Sequence, residues 1–217
     1  MMIFNKYYIL RRTTIAIFHH IGDLPANVLL EGDLAIDTET MGLRVGRDRL
    51  CLLQISNGNG DAHLVQFRKD SYDAPILKAL LSDEKRSKIF HFARFDVSVI
   101  RYYLGIELKN IFCTKIASRL VRTYTDSHGL KELCRELLSI QISKTQQSSD
   151  WGNDILSKDQ LEYAASDVLY LHELKNKLSN MLVRENKLSL AISCFDFLPV
   201  RAVIDLAGFE EWDIFGH

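Results

Sequence analysis

Two acids, Asp37 and Glu39, follow the apolar run 34–36 and are the first residues whose spacing indicates chemistry. In a β-strand, residues two apart point to the same face, so these carboxylates would lie side by side. Carboxylates that are held together and partly removed from water need compensation by protons, a basic partner or a cation. No Lys or Arg lies closer in the sequence than Arg44. The pair therefore forms part of a cation site or lies at a solvated strand end, where this spacing is common.

Two further acids, Asp96 and Asp167, occur where helices would carry them. Asp96 follows an apolar strand that ends at Phe92 and would open the next helix, where it could be only a cap favoured by the helix dipole. Tyr163 and Asp167 are four residues apart, separated by the small residues 164–166, and would project from one face of a long helix. An acid on a mostly apolar helix is unusual unless it is paired or bound to a cation. The alternative is that Tyr163 closes the core and that Asp167 meets an arginine.

The elements that must position these acids alternate between strand and helix patterns. A strand over 34–39 leads into the first acidic pair, and a turn at 57–60 joins strands over 50–55 and 62–67 into a hairpin. The capping-box sequence at 157–160 predicts the start of the long helix. This order predicts an α/β fold with a mixed central β-sheet flanked by α-helices. The other predicted elements are helices over 75–81, 96–103, 116–121 and 130–138 and strands over 88–92 and 110–115.

Composition limits the class of protein further. A length of 217 residues suggests one domain with a sizeable core. The net charge of −1 argues against a protein that holds long nucleic acid mainly through phosphates, but it is compatible with a local grip on one or two phosphates. No apolar run reaches the ~18 residues of a membrane span, so we expect no membrane partner. The four scattered cysteines indicate free thiols in a reducing, cytoplasmic environment.

Taken together and in order, the acidic segments resemble a known arrangement. Asp37-x-Glu39, His91-x-x-x-Phe95-Asp96 and Tyr163-x-x-x-Asp167 resemble the three motifs of DEDD exonucleases in their tyrosine-containing (DEDDy) branch. The segments 112–115, 127–131, 149–151 and 163–168 resemble the ribonuclease D-like family, and the likeness runs from about residue 34 to residue 182. The resemblance implies a ribonuclease H-like exonuclease fold and a hydrolase that removes nucleotides from 3′ ends.

The resemblance also implies a cofactor and roles for individual residues. Asp37, Glu39, Asp96 and Asp167 would hold two divalent metal ions, Mg²⁺ or Mn²⁺, with Asp37 bridging them, and Tyr163 would orient or deprotonate the attacking water. Hard oxygen ligands suit these ions. Leu43 would wedge against the bases or lie buried in a turn, and His91 would contact the terminal ribose or satisfy the core. The expected substrate-binding residues are Thr38, Leu43, His91, Phe95 and Tyr163.

Several segments narrow the resemblance to the compact nanoRNase C enzymes of alphaproteobacteria. These segments are 119–130, 146–151 and the tail around 197–199 and 213–217. Bacterial ribonuclease D carries helical domains after its nuclease domain, whereas only about thirty residues follow Arg184 here. The resemblance implies degradation of very short single-stranded RNA, especially diribonucleotides, by a cytoplasmic homo-octamer. We expect an N-terminal extension over 1–20 and one exonuclease domain over 21–217 with a C-terminal helical tail.

Other functions remain alternatives to the dinucleotide specialist. A broader exonuclease could trim longer RNA or DNA 3′ ends, and a catalytically inactive RNA-binding module could keep the fold. A short substrate also needs a group that stops its 5′ end, and Trp151 could stack on a base or close the core. A solvated helix face would explain most of the cationic candidates for a phosphate contact equally well. Those candidates are Arg119, Arg122, His128, Lys131 and Lys144.

Overall fold

A six-stranded mixed sheet forms the centre of the computed structural model, which describes residues 16–69, 71–142, 146 and 149–216. The strand order is β1-β4-β3-β2-β5-β6. Strand β3 pairs antiparallel with β2 and with β4, and the other pairings are parallel, which confirms the predicted α/β class and mixed sheet. The strands are β1 (Ile17–Ile21), β2 (Leu34–Thr40), β3 (Leu50–Ser56), β4 (Ala62–Gln66), β5 (Lys88–Phe90) and β6 (Ile111–Cys113).

Eight α-helices flank the sheet within the described part of the chain. Every residue of β3 and β4 is buried, as expected for central strands with both faces covered. Helix α5 packs across β2, β3 and β4, whereas α2 packs against α8. The helices are α1 (Pro75–Ser82), α2 (Ala93–Leu104), α3 (Thr114–Val121), α4 (Leu130–Leu133), α5 (Lys158–Leu169), α6 (Leu171–Arg184), α7 (Leu188–Asp196) and α8 (Leu198–Ile204). Two π-helical turns follow α4 and α8, at Cys134–Leu138 and Asp205–Phe209.

Several predicted element boundaries are wrong. The strand predicted over 88–92 is β5 and ends at Phe90, and the helix predicted over 96–103 is α2 and begins at Ala93. Residues 114 and 115, which were assigned to a strand, form the first turn of α3. The long helix predicted from about Gln160 is two helices, because the chain breaks at Tyr170 between α5 and α6. The capping box is confirmed: Ser157 Oγ accepts from the backbone N–H of Gln160, and the Gln160 side chain accepts from the backbone N–H of Ser157.

The two ends of the described chain extend the central α/β core. Strand β1 pairs with β4 at the edge of the sheet, so the predicted boundary at residue 20 falls inside a strand. Residues 1–15, which make up most of the predicted extension, lie outside the described residues. Helices α7 and α8 follow α6 toward the C-terminus, and α7 packs against β6 and α3. None of the described helices is both long and apolar enough to cross a bilayer.

Candidate active site

Strand β2 carries the first two acids beside the central strand of the sheet. Asp37 lies opposite Gln54 of β3, and Glu39 lies opposite Leu52, so both carboxylates share one face. Both acids are half-buried rather than solvated at a strand end. Gln54 Nε2 donates to Asp37 Oδ2 at 3.2 Å. Because Gln54 is completely buried, its amide holds the Asp37 carboxylate in one orientation.

Helix α5 brings Asp167 onto the same face of the sheet. The carboxylate oxygens of Asp37, Glu39 and Asp167 lie within 4.8 Å of one another. The Tyr163 hydroxyl, one turn before Asp167, donates a hydrogen bond to the Asp167 carboxylate. Trp151 is 2% exposed, and its ring centre lies 6.1 Å from that of Tyr163, so Trp151 closes the core behind the phenol. The alternative that Asp167 pairs with an arginine is wrong within the described residues.

Asp96 lies beside this group but is held differently. It is the fourth residue of α2, whose N-cap is Phe92, so Asp96 is not a helix cap. Asp96 is 3% exposed, and its Oδ1 accepts from Thr38 Oγ1 at 2.7 Å. In the described part of the chain, Asp96 is not among the three acids within 4.8 Å of one another. Its charge is still near enough to raise the pKa of both Asp37 and Glu39.

All four carboxyl groups have raised pKa values, and the first cause in each case is burial. The pKa of Glu39 rises to about 9, with Asp167 and Asp96 adding repulsion. The pKa values of Asp96 and Asp167 each rise to about 7, although hydrogen bonds from Thr38 and Tyr163 act in the opposite direction. The pKa of Asp37 is raised by burial and then by its acidic neighbours. Burial and mutual repulsion therefore both disfavour four negative charges at this place in the folded chain.

The donor set fits a hard divalent cation. No ion pair to any of the four carboxylates is found among the residues that the structure describes. Buried acids without basic partners lower their free energy by taking up protons or by binding a cation. Carboxylate oxygens are the preferred ligands of Mg²⁺ and Mn²⁺. Asp37, Glu39 and Asp167 are therefore the residues whose geometry could hold a metal directly, with Asp96 next to them.

A cavity of about 720 Å³ opens onto the acids. Leu43 is 84% exposed at its wall, so the alternative of a leucine buried in a turn is wrong. His91 is half-buried, and its Nδ1 lies 2.9 Å from the Thr114 hydroxyl, which donates to the Phe90 carbonyl. The cavity brings together all five residues predicted to contact substrate, namely Thr38, Leu43, His91, Phe95 and Tyr163.

The cationic residues separate into cavity residues and structural ones. Lys131 lines the cavity, whereas Arg119 is exposed outside it. Arg122 was a wrong candidate for a phosphate contact, because it is completely buried and donates to Ser118 Oγ, the Ser127 carbonyl and Glu136. The remaining two candidates are His128, whose Nδ1 is hydrogen bonded to Ser118 Oγ, and Lys144, which lies outside the described residues.

The sequence interpretation missed three residues that shape the site. Gln54 orients Asp37, Thr114 holds His91, and Lys115 lines the cavity with its Nζ 4.0 Å from the centre of the Phe92 ring. Gln54 had a detectable signal, since it is the one polar residue in the predicted strand 50–55. Thr114 and Lys115 lie in segment 112–115, which resembles the ribonuclease D-like family, but their roles were missed because both were assigned to a strand and their neighbours are distant in sequence.

The sequence of this chain is similar to a known protein family and to longer proteins that contain related segments. A family model described as a 3′-5′ exonuclease matches residues 21–183. A ribonuclease D from Gluconacetobacter diazotrophicus is 32% identical over 160 residues, which cover 74% of this chain and 40% of that protein. A DNA polymerase I from Aquifex aeolicus is 36% identical over 149 residues, covering 69% of this chain and 24% of the polymerase. The chain thus spans less than half the length of these curated relatives.

Two solved structures are similar over nearly the whole chain. Brucella melitensis NrnC bound to pGG has a TM-score of 0.91 and 52% identity, covering 94% of this chain and 100% of that one. The same nuclease with bound Mg²⁺ has a TM-score of 0.89 and 52% identity, covering 93% and 99%. Both similarities therefore extend past residue 183 into the C-terminal helices.

Proposed function

The chain belongs to the 3′-5′ exonuclease family. We propose that it degrades very short RNA, especially diribonucleotides, to mononucleotides. The observation that carries the proposal is the group of Asp37, Glu39 and Asp167 within 4.8 Å of one another, in a cavity that Tyr163 also lines. Four intact acids that form no ion pair with any residue the structure describes argue against a catalytically inactive RNA-binding module, which would gain nothing from their repulsion.

Asp37, Glu39, Asp96 and Asp167 would hold two divalent ions, Mg²⁺ or Mn²⁺. When bound, such ions lower the pKa of the attacking water and balance the charge on the leaving oxygen. The raised pKa values of these acids support the assignment, because a cation would replace the protons that the folded chain otherwise retains.

The side chains around the acids would orient the reactants of an in-line hydrolysis. A water oxygen forms a bond to the phosphorus of the last linkage, and the bond to the preceding 3′ oxygen breaks. The 3′ oxygen gains a proton and leaves with the shortened RNA, while the terminal nucleotide leaves with a 5′-phosphate. Burial and the neighbouring carboxylates raise the pKa of Tyr163, so its hydroxyl keeps its proton and positions the water by hydrogen bonding.

Short substrates are favoured by two observations. The Brucella nuclease that covers almost the whole chain is described as bound to pGG. The net charge of −1 suits a substrate with one or two phosphates better than a long polyanion. Lys115 and Lys131 line the same cavity as the acids and could contact the terminal phosphate.

A broader exonuclease that trims longer RNA or DNA is the second candidate function. The similarity to ribonuclease D and to DNA polymerase I favours it. We further propose cytoplasmic action, which the four free cysteines support, and a homo-octameric assembly, which the resemblance to nanoRNase C implies.

Cleavage of 5′-labelled RNAs of two, three and seven nucleotides, with Mg²⁺ or with EDTA, tests the proposal. We expect rapid, metal-dependent loss of the dinucleotide, much slower loss of the longer RNAs, and no cleavage by Asp37→Ala. Asp154→Asn, which removes an exposed carboxylate outside the cavity, should cleave like the unaltered protein. Equal rates for all lengths would favour the broader exonuclease, and undiminished cleavage by Asp37→Ala would overturn the metal site.

A further inference from the structure

A second cavity of about 500 Å³ adjoins the catalytic cavity. Leu43, Phe92 and Phe95 line both cavities, so the two spaces share one partition. Leu43 is 84% exposed and Phe92 is 47% exposed, which means that a ligand could contact either side chain. The second cavity lies within the usual size range of small-molecule sites.

One face of α2 forms the inner wall of this cavity. Phe95, Ser98 and Tyr102 follow the i, i+3, i+7 spacing of a single helical face, and all three line it. Tyr102 is 54% exposed and lies against Gly46, where an added Cβ would come 3.3 Å from the phenol oxygen. Gly46 also has a φ of +89°, so a glycine is needed for the loop to pass this close to the ring.

The outer wall is the segment 205–211, which lies beyond the residues 21–183 that match the exonuclease family. Arg94 of α2 anchors this segment: its Nε and Nη2 donate to the Asp205 carboxylate at 2.7 and 2.8 Å. Arg94 also donates to the Glu210 carbonyl, and Arg201 forms a second ion pair with Asp205 at 3.0 Å. A bidentate arginine–carboxylate pair fixes both the distance and the orientation of the two groups, so segment 205–211 is held firmly against α2.

The charges of the cavity select the kind of ligand that fits it. Its acids are Asp205, Glu210 and Glu211, and its bases are Arg44 and Arg94, which gives a net charge of −1. Arg94 pairs with Asp205, and Arg44 Nε lies 3.8 Å from Glu210 Oε1. Each arginine of the cavity therefore has an acid beside it. This balance disfavours a phosphate and suits an uncharged, flat ring between aromatic and aliphatic side chains.

We propose that the second cavity is a nucleobase subsite, and that the C-terminal segment 205–211 supplies the wall that completes it. One base of a short RNA packs against Phe95 and Tyr102, while the phosphate to be cleaved stays with the acids of the first cavity. Leu43 then stands between the two nucleotides. This inference rests on the proposed hydrolysis of short RNA and adds the residues that recognise the base.

The test compares two substrates, 5′-phosphorylated diadenylate and the same dinucleotide with abasic 1-deoxyribose residues, because the second keeps the cleavable diester but has no ring that can stack. For Tyr102→Ala, the ratio of kcat/KM for diadenylate to kcat/KM for the abasic dinucleotide should fall about tenfold, since base–aromatic stacking contributes on this scale. Tyr102→Phe keeps the ring and should keep the ratio. Leu206→Trp fills the cavity from the opposite wall and should lower the ratio as Tyr102→Ala does.

Leu190→Ala serves as the matched control, because Leu190 is an exposed apolar residue outside both cavities and should leave the ratio unchanged. Thermal melting confirms that each variant is folded. If the unaltered protein hydrolyses both substrates and the ratio is the same in Tyr102→Ala and Leu206→Trp, the nucleobase subsite is wrong while the proposed function stands. If the unaltered protein hydrolyses neither substrate, the proposed function itself fails.

Discussion

Gln54 of β3 orients the carboxylate of Asp37, one of the four acids of the site. Its amide donates to Asp37 Oδ2 at 3.2 Å, and its Oε1 is buried without a hydrogen-bond partner among the described residues. An unpaired buried acceptor lowers the stability of the folded chain by about 1–3 kcal/mol, so a glutamine is unfavourable in the middle of an apolar strand unless its amide has another role. The contact therefore points to a positioning role for Gln54 next to the metal ligands.

We predict that Gln54→Leu raises the Mg²⁺ concentration needed for half-maximal cleavage by about 10–100-fold, the usual effect of removing a group that orients a metal ligand. Stability should change little, because the substitution also removes the unpaired Oε1. Titration of dinucleotide cleavage with Mg²⁺ measures the effect. Gln66→Leu is the matched control, since Gln66 is a buried glutamine of β4 outside the cavity. An unaltered Mg²⁺ requirement in Gln54→Leu would show that the hydrogen bond does not matter.

The raised pKa values of the acids predict how stability depends on pH. The pKa of Glu39 is about 9 in the folded chain against an ordinary value near 4.5, so between these values the folded state binds a proton that the unfolded state has released. Unfolding then releases protons, and a rise in pH favours it. Asp96 and Asp167, with pKa values of about 7, act in the same direction up to that pH.

We therefore expect the melting temperature of the metal-free protein to fall as the pH rises from about 6 to about 9. Mg²⁺ should oppose this fall, because a bound cation replaces the protons, and the stabilisation by Mg²⁺ should grow with pH. Thermal unfolding in EDTA and in Mg²⁺ at each pH measures both effects. A metal-free melting temperature that rises over this range would contradict the electrostatic account.

Among the helices, α5 determines the geometry of the site, because it carries both Tyr163 and Asp167 across the sheet. Its start is set by the Ser157–Gln160 capping box, and its buried face uses the small residues Ala164 and Ala165. Small side chains let the helix axis approach β2 and β3, which brings the Asp167 carboxylate to the acids of β2.

Ser157→Ala should destabilise the protein by about 1 kcal/mol, since it removes the N-cap acceptor for Gln160. This loss corresponds to a drop of about 2–4 °C in melting temperature for a chain of this size. Differential scanning calorimetry in EDTA measures it. Ser189→Ala, at an exposed serine of α7, should melt like the unaltered protein. Equal melting temperatures for the two variants would mean that the cap does not limit the stability of α5.

In the whole molecule, the C-terminal segment 198–216 exposes several large apolar side chains. Val200 and Val203 of α8 are 51% and 44% exposed, and Trp212 and Phe215 of the tail are 70% and 72% exposed. Exposed apolar patches of this kind commonly mark protein–protein interfaces. They support the homo-octamer that the resemblance implies.

We predict a closed homo-oligomer at micromolar concentration, eight times the chain mass, by light scattering coupled to size exclusion. Trp212→Glu combined with Phe215→Glu should reduce that mass, because charges on an apolar interface lose hydration without a partner. Ile155→Glu, at an 88% exposed apolar residue outside this segment, should keep the mass. A monomer for the unaltered protein would refute the assembly.

The shared faces of the acids could be predicted from the sequence alone because they depend on local spacing. Two residues apart on a strand and four apart on a helix are relations that the backbone itself imposes, so Asp37, Glu39, Tyr163 and Asp167 were assigned to shared faces correctly. The alternation of patterns likewise predicted the mixed sheet. The break at Tyr170 was missed, because no glycine or proline marks it and both flanking helices bury the same kind of residues.

Which distant residues meet depends on how the whole chain packs. The Gln54–Asp37 bond depends on the register of β2 and β3, the Thr38–Asp96 bond joins residues 58 positions apart, and the burial of Arg122 depends on the loop folded around it. The second cavity needs segment 205–211 to lie against α2, which a local pattern cannot encode. Local geometry follows from the covalent chain, whereas these contacts follow from how helices and strands pack, and packing is a property of the whole fold.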